Sequence, residues 1–249
     1  MTKSLGDRMK RYEKVFNQKL SIKTPVILFL DGRAFHTFTR GLNTPFDDVF
    51  INAMKETLAY LCDNIPNAKM GYTQSDEISI LLTDWDNFET SQWFDYRIQK
   101  MVSNAASMAT YKFNEAFQRK IFKEYVDSKR DGDIFRWLKK TGFFDCRAFN
   151  LPIHEVQNWF IWRQQDWRRN STQMIARKYF SHKQLHKKNQ IEMREMLKNE
   201  HNVLLVDYPE HQRHGTLYTP QSRGQGKFSS PLFKNNRHIF DYVMEVERL

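Results

Sequence analysis

The sequence predicts an α+β fold of the ferredoxin-like split type, and three observations predict it. Short apolar or alternating runs and long stretches of helical period follow one another as strand, helix, strand, strand, helix, strand. The first run, Val26-Ile27-Leu28-Phe29-Leu30, is apolar throughout, which marks a strand covered on both faces. Two acidic turns, Asp31-Gly32-Arg33 and Gln74-Ser75-Asp76-Glu77, stand where predicted strands meet loops. In this arrangement the end of the first strand lies beside the central hairpin. Asp31 and Asp76 are therefore expected side by side, although 45 positions separate them (76 − 31).

Each element rests on pattern and punctuation. Leu5, Met9, Tyr12, Val15, Phe16 and Lys19 recur at helical period and predict an amphipathic helix over residues 5 to 19, broken by Thr24-Pro25. After the first strand a loop runs to Pro45. A helix follows from Phe46 to Cys62, with Val49, Met54, Leu58 and Leu61 turned to the core. Lys69 to Thr73 and Glu77 to Leu82 read as two strands joined by Gln74-Ser75-Asp76. A long helix is predicted over Gln92 to Tyr125, its small-residue middle suited to close packing on a sheet. Phe143 to Asn150 is the fourth strand, stopped by Leu151-Pro152. Ile153 to Phe180 and His182 to Leu197 read as helices, the second one basic. Arg213 to Asn236 is rich in Gly, Ser and Pro and reads as a loop. The expected division is residues 1–150 as a catalytic unit and 151–249 as a helical, basic extension for RNA binding and oligomerisation, packed as one domain with it or separate.

The chain has 249 residues, enough for one substantial core. Thirty-nine basic residues against 29 acidic give a net charge of +10. A basic globular protein has nucleic acid among its expected partners, and the bland reading is a scattered positive surface. Cys62 and Cys146 stand far apart, which argues against a disulfide scaffold and a structural zinc site. The N-terminus lacks a signal-type apolar core, and no run approaches the ~18 apolar residues of a membrane span. A cytoplasmic protein with no membrane contact is expected.

Alone, Asp31-Gly32 is most often just a turn, and Asp76-Glu77 is similarly weak. Together they make an oxygen-rich site suited to Mg2+ and a triphosphate. Carboxylates crowded in a fold repel one another unless a cation neutralises them. Gly32 would bring a carbonyl close to that cation, and the amides from Arg33 to His36 would face phosphates. Gly224-Gln225-Gly226-Lys227-Phe228 is not a P-loop, because Gln221 replaces the first glycine and Phe228 the required hydroxyl residue. His182 and His186 are four apart but have no third ligand nearby. The lysines around them, Lys178, Lys183, Lys187 and Lys188, fit an RNA-backbone face or a solvated helix. Trp162-Arg163-Gln164-Gln165-Asp166-Trp167-Arg168-Arg169-Asn170 mixes basic, amide and aromatic groups that suit phosphates and bases. A packed helix with a polar face fits that composition equally well.

Taken jointly, Asp31-Gly32-Arg33-Ala34-Phe35-His36-Thr37-Phe38, Gly71-Tyr72-Thr73-Gln74-Ser75-Asp76-Glu77, Phe144-Asp145-Cys146-Arg147-Ala148-Phe149 and Trp162-Arg163-Gln164-Gln165-Asp166 resemble the tRNA-His guanylyltransferase family. Tyr179-Phe180-Ser181-His182-Lys183 fits as well. The resemblance implies a palm-like catalytic domain of the polymerase and cyclase kind. It implies two Mg2+ ions and nucleotide addition in the 3′-to-5′ direction at the 5′ end of tRNA, with ATP and GTP or other nucleoside triphosphates as substrates. By family position Asp31, Gly32 and Asp76 would bind metal, with Asp31, Asp76 and Glu77 catalytic. Asp31, Gly32, Arg33, Ala34, Phe35, His36, Ser75 and Asp76 would hold the nucleotide. Arg163, Arg168, Arg169, Asn170, Lys183, Lys187 and Lys188 are the RNA-binding candidates, and the expected assembly is a homotetramer.

Two departures matter. Arg168-Arg169-Asn170 stands where the eukaryotic branch carries His-Ile-Asn, which resembles the branch that repairs truncated tRNA 5′ ends against a template. Thr44 precedes Pro45 where the family usually has a triphosphate-binding lysine; either Arg40 replaces that charge or the contact is absent. The expected activity is templated 5′-end repair, with untemplated guanylate addition to tRNA-His as the alternative. A nucleotide cyclase and a non-catalytic RNA-binding module rank lower. A cyclase needs no polyanion surface, and the module needs aromatics exposed on its strands.

Overall fold

The computed structural model describes residues 4–86, 89–127, 134–221 and 226–241. In chain order the elements are α1 (Leu5–Lys14), β1 (Val26–Arg33), α2 (Phe35–Phe38), α3 (Asp48–Asn64), β2 (Ala68–Gln74), β3 (Glu77–Leu82), α4 (Ile98–Val126), α5 (Phe135–Leu138), β4 (Phe143–Asn150), α6 (Val156–Tyr179), α7 (His182–Leu185), α8 (Gln190–His201), α9 (Glu210–His214), β5 (Thr216–Thr219) and β6 (Lys227–Ser229). Among the described residues the strands form one antiparallel sheet in the order β4-β1-β3-β2-β5-β6.

Alternation along the strands divides the core between the two faces of this sheet. Val26, Leu28 and Leu30 of β1 and Ile78, Ile80 and Leu82 of β3 pack with α3 and α4. Ile27, Phe29, Tyr72 and Leu81 point the other way, against Val156 and Phe160 of α6 and against Phe233 and Phe240. The uninterrupted apolar run of β1 thus has its predicted cause, cover on both sides. A third cluster, with Ile175, Phe180, Met193 and Leu197, joins α6 to α8. Among the described residues no helix is long and apolar enough to cross a membrane.

Four expectations need correction. The long helix expected from Gln92 begins at Ile98, because Phe94, Asp95 and Tyr96 take positive φ. The first helix ends at Lys14 instead of Lys19, because the chain turns to pair with the 95–98 segment. Leu20 N–H donates to the Tyr96 carbonyl (3.0 Å), and Lys19 is ion-paired with Asp95. The basic helix expected over residues 182 to 197 is two helices. Ser181 with Gln184 and Asn189 with Glu192 each form a capping box, and Lys187 takes a positive φ of 61° between them. Within the segment read as a loop, β5 and β6 extend the sheet. Tyr218 anchors them, donating to the Asp63 carboxylate at 2.8 Å and accepting from the Gly226 N–H at 3.0 Å. Gly224 and Gln225, part of the P-loop-like stretch, lie outside the described residues.

Candidate active site

β1 and β3 pair so that Asp31 stands opposite Glu77, and β4 places Asp145 opposite Asp31 on the other side. Asp76 occupies the tight turn just before β3. Its carbonyl accepts from the Gly32 N–H at 3.1 Å, and its carboxylate accepts from the Ser75 hydroxyl at 2.8 Å. Ser75 reaches this position with a φ of 48°. Gly32 is required by space: a Cβ there would stand 2.5 Å from the Phe35 ring and 2.8 Å from the Asp76 Cβ. The first strand and the hairpin therefore do bring the two predicted acidic turns into one cluster.

The electrostatics are those of crowded acids. Burial raises the pKa of Asp31, and the neighbouring Asp145 raises it further. Asp76 is raised by burial and by Asp31, against the lowering effect of the Ser75 hydrogen bond. Glu77 is pushed up to about 7, chiefly by burial, even though Arg163 pulls it down. Arg163 comes from α6, is buried, and donates from Nη1 to Glu77 Oε2 at 3.1 Å. The Gln74 amide donates to the same carboxylate, leaving its own Oε1 buried without a partner. Among the described residues no group of three or more His, Cys, Asp or Glu side chains is arranged to hold a metal ion. The oxygen donors that come together are thus the carboxylates of Asp31 and Asp76, whose turns are tied by the bond from the Gly32 N–H to the Asp76 carbonyl. Both are hard oxygen donors, and their mutual repulsion is what a divalent cation relieves.

The loop after β1 bends through Ala34, whose φ of 55° starts the short helix α2. Phe35 locks that bend from below. Its ring lies 5.0–5.2 Å from those of Phe38, Phe113 and Phe144. Of the predicted nucleotide residues, Arg33, Ala34 and His36 are exposed, while the Phe35 side chain belongs to the core. A cavity of about 270 Å³ adjoins Gln74 and Ser75 and is lined by both Arg40 and Thr44, with Asp47, Lys55 and His211.

The basic candidates scatter. Arg163 faces Glu77 and not the outer surface. Arg169 is ion-paired with Asp166. Arg168 is half-buried and Asn170 is exposed on α6. Lys183 and Lys187 are exposed around α7, and Lys188 pairs with Glu192 at 3.1 Å. Sequence reasoning missed Asp145 and Arg147 as neighbours of Asp31, and it missed the cavity. The signal for Asp145 was present: register pairing follows once Phe143–Asn150 is placed antiparallel beside β1.

A family model described as tRNA-His guanylyltransferase matches residues 6–152, more than half of the chain. This chain belongs to the tRNA-His guanylyltransferase family. The match runs from α1 through β4, so it contains Asp31, Asp76, Glu77 and Asp145 but stops short of α6. A bacterial tRNA(His) guanylyltransferase (Thg1)-like protein in complex with ATP superposes with a TM-score of 0.85 at 40% identity, over 98% of this chain and 100% of the other. A bacterial Thg1-like protein in complex with GTP gives 0.78 at 37% identity, over 99% and 100%. The tRNA(His) guanylyltransferase of Debaryomyces hansenii is 28% identical over 173 residues, covering 67% of this chain and 57% of that protein's length. By family, the chain is a nucleotidyltransferase.

Proposed function

We propose that this protein is a metal-dependent 3′-to-5′ nucleotidyltransferase that adds nucleotides to the 5′ end of tRNA, with templated 5′-end repair as its role. The observation that carries the reading is the convergence of Asp31, Gly32 and Asp76 at the end of β1, in an arrangement of oxygen donors only. The strand order β4-β1-β3-β2 supports a ferredoxin-like palm, to which residues 151–249 add helices, two edge strands and basic surface. ATP and GTP in the bacterial neighbours support nucleoside triphosphates as substrates here.

In this reading Asp31, Asp76 and the Gly32 carbonyl would hold two Mg2+ ions, which would lower the pKa of the attacking hydroxyl and neutralise charge on the phosphates. A 5′-monophosphorylated tRNA first attacks the α-phosphorus of ATP, which forms an adenylylated 5′ end and releases pyrophosphate. The 3′-hydroxyl of the incoming triphosphate then attacks the 5′ phosphorus and displaces AMP; a 5′-triphosphorylated RNA skips activation and releases pyrophosphate. Ser75 fixes the Asp76 carboxylate through its hydroxyl. Arg163 and Gln74 hold Glu77 beside the reacting groups. The loop from Arg33 to His36 offers amides to phosphates, anchored by Phe35. Arg40 and Lys55 are the cations of the adjoining cavity, where Thr44 lacks the usual lysine. Exposed apolar side chains on α1, such as Leu5 and Tyr12, support contact with another copy, and the homotetramer is what the family resemblance implies. Cys62 and Cys146 are unpaired, which fits a cytoplasmic, reducing setting.

Similarity to proteins named tRNA(His) guanylyltransferase favours untemplated guanylate addition as the second reading. The test uses tRNA lacking its first 5′ nucleotide, with each of the four bases opposite the gap. Incorporation that follows the complement in all four supports repair. Guanylate addition to intact tRNA-His, with little filling of the gapped substrates, supports maturation. No incorporation in either assay removes both readings.

A further inference from the structure

α6 and α8 enclose a pair of guanidinium groups that no carboxylate answers. Arg168 has no ion pair or side-chain hydrogen bond among the described residues, since Asp166 on the same helix is occupied by Arg163 and Arg169. Arg194 of α8 makes only long contacts, from Nη2 to Thr172 Oγ1 and to Gln190 Oε1, both at 3.4 Å. Its Nε is buried with no partner. Burial disfavours the Arg194 charge, and Arg168 adds repulsion to that. Arg168 and Arg213 also act, after burial, to lower the pKa of His214. Like charges gathered at a partly buried helix interface are costly, and an anion between them removes the cost.

Two surface grooves meet at this pair. One, of about 420 Å³, runs from Arg168 and Arg194 to Trp162, with Asp166 on its wall paired to Arg169. The other, of about 540 Å³, runs from the same pair past Lys198 to Arg213, with a single acid, Glu195, on its wall. Trp162 leaves 51% of its surface exposed. The Arg163 guanidinium lies 3.6 Å from its ring centroid and 3.1 Å from Glu77. The first groove therefore begins one side chain away from the carboxylates. A flat exposed ring, then a cation pair, then further cations describe a path longer than one triphosphate. It suits a strand whose bases stack and whose phosphates repeat.

We propose that the Arg168–Arg194 pair seats a backbone phosphate of the RNA substrate, with Trp162 stacking on a base on the carboxylate side and Lys198 and Arg213 following the strand away from it. The proposal rests on the RNA-directed reading above. It assigns Arg194, Lys198, Arg213 and Trp162 to RNA and removes Arg163 from it.

The test compares wild type with R168Q, R168K and the double variant R168Q/R194Q. Arg168 is the fold-safe position, because its side chain has no partner to lose. Labelled tRNA is titrated by fluorescence anisotropy over a range of salt, and ATP affinity is measured separately by calorimetry. R168Q and the double variant are expected to bind tRNA several-fold more weakly, with a log–log salt slope shallower by roughly 0.7–0.9 for the one phosphate lost. R168K should keep the slope, and ATP affinity should not change. W162A should weaken binding without changing the slope. An unchanged slope in R168Q and the double variant overturns the proposal. So does a parallel fall in ATP affinity, which would assign the pair to a free triphosphate. If wild type fills gapped tRNA while these variants bind as it does, only this proposal fails. If wild type neither binds nor extends tRNA, the RNA-directed reading fails with it.

Discussion

The two faces of the sheet are built from different chemistry. Towards α3 and α4 the sheet presents Val26, Leu28, Leu30, Ile78, Ile80 and Leu82, and the helices answer with side chains such as Met54, Leu58, Ala105 and Phe113. Towards α6 the same strands present Asp31, Glu77, Ser79 and Tyr72 among the apolar positions. α6 answers with buried polar groups. Trp159 Nε1 donates to Ser79 Oγ at 3.1 Å, Arg163 reaches Glu77, and Trp167 Nε1 donates to the Gln212 carbonyl at 3.1 Å. Gln164 is fully used. It donates to the carbonyls of His214 (2.9 Å) and Pro231 (2.8 Å) and accepts from the Phe233 N–H at 2.9 Å. The lesson is a division of labour. One face supplies burial that depends on volume alone, and the other supplies a fixed, hydrogen-bonded frame that can carry charge to the strand ends.

The largest expected effect separates the faces by activity. Asp31→Ala and Asp76→Ala should each lower nucleotide addition by roughly two to three orders of magnitude or more, while the metal-free protein melts no lower than wild type. Each removes a charge that repels its neighbours in the absence of a cation. Gel assays of tRNA extension and calorimetric melting check the pair, and near-normal turnover in either variant would sink the assignment.

On the apolar face the effect should be on stability. Leu28→Ala should cost about 2–5 kcal/mol in denaturant unfolding. The fraction that remains folded should keep its affinity for ATP. A loss of ATP affinity out of proportion to unfolding would mean that the two faces are coupled more tightly than their chemistry suggests.

A third expectation concerns pH and belongs to the polar face alone. The Glu77 carboxyl titrates near 7 in the folded chain and near 4.5 when exposed, so the folded state binds more protons between those values. Its contribution to stability is complete below the lower value and is lost as pH rises through the higher one. The loss is about 3 kcal/mol by pH 8. The raised Asp31 and Asp76 act in the same direction. Melting in a chelator should therefore fall as pH rises from 5 to 8, and saturating Mg2+ should flatten that slope. A flat profile in the chelator would contradict the burial of these acids.

The smallest effect is Gln164→Ala. It strands the Phe233 N–H and the Pro231 carbonyl, while the His214 carbonyl keeps its bond from the Tyr72 hydroxyl, and should cost about 1–2 kcal/mol. Hydrogen exchange should rise first around Phe233 and His214, the segments that Gln164 ties to α6. Uniform exchange across the sheet would show that Gln164 is not a local tie.

Some of this is legible in the sequence alone. β4 occupies Phe143–Asn150 as read, bounded by Leu151-Pro152, and β3 occupies Glu77–Leu82. The break between α7 and α8 was also written in the sequence, as Ser-x-x-Gln and Asn-x-x-Glu capping boxes, but basic composition hid it. Composition misled again at β5, where Gly215 and Pro220 flank four residues that form a strand only because β2 offers its edge. The end of α1 was set by pairing with a segment some 80 positions away (Leu20 with Tyr96, 96 − 20 = 76), which no local pattern records.

By itself the sequence determined the elements whose cause is local: apolar runs, caps and turns, and the two acidic turns at strand ends. It also determined the family, because four motifs occur together and in order along one chain. Tertiary structure alone decided which charges face which. Arg163 and Arg168 sit five positions apart on one helix (168 − 163), yet one is buried against Glu77 and the other meets Arg194 of α8. The rotation of α6 on the sheet makes that difference. It is fixed by the packing of Val156, Phe160 and Trp167, and not by the charged residues it positions.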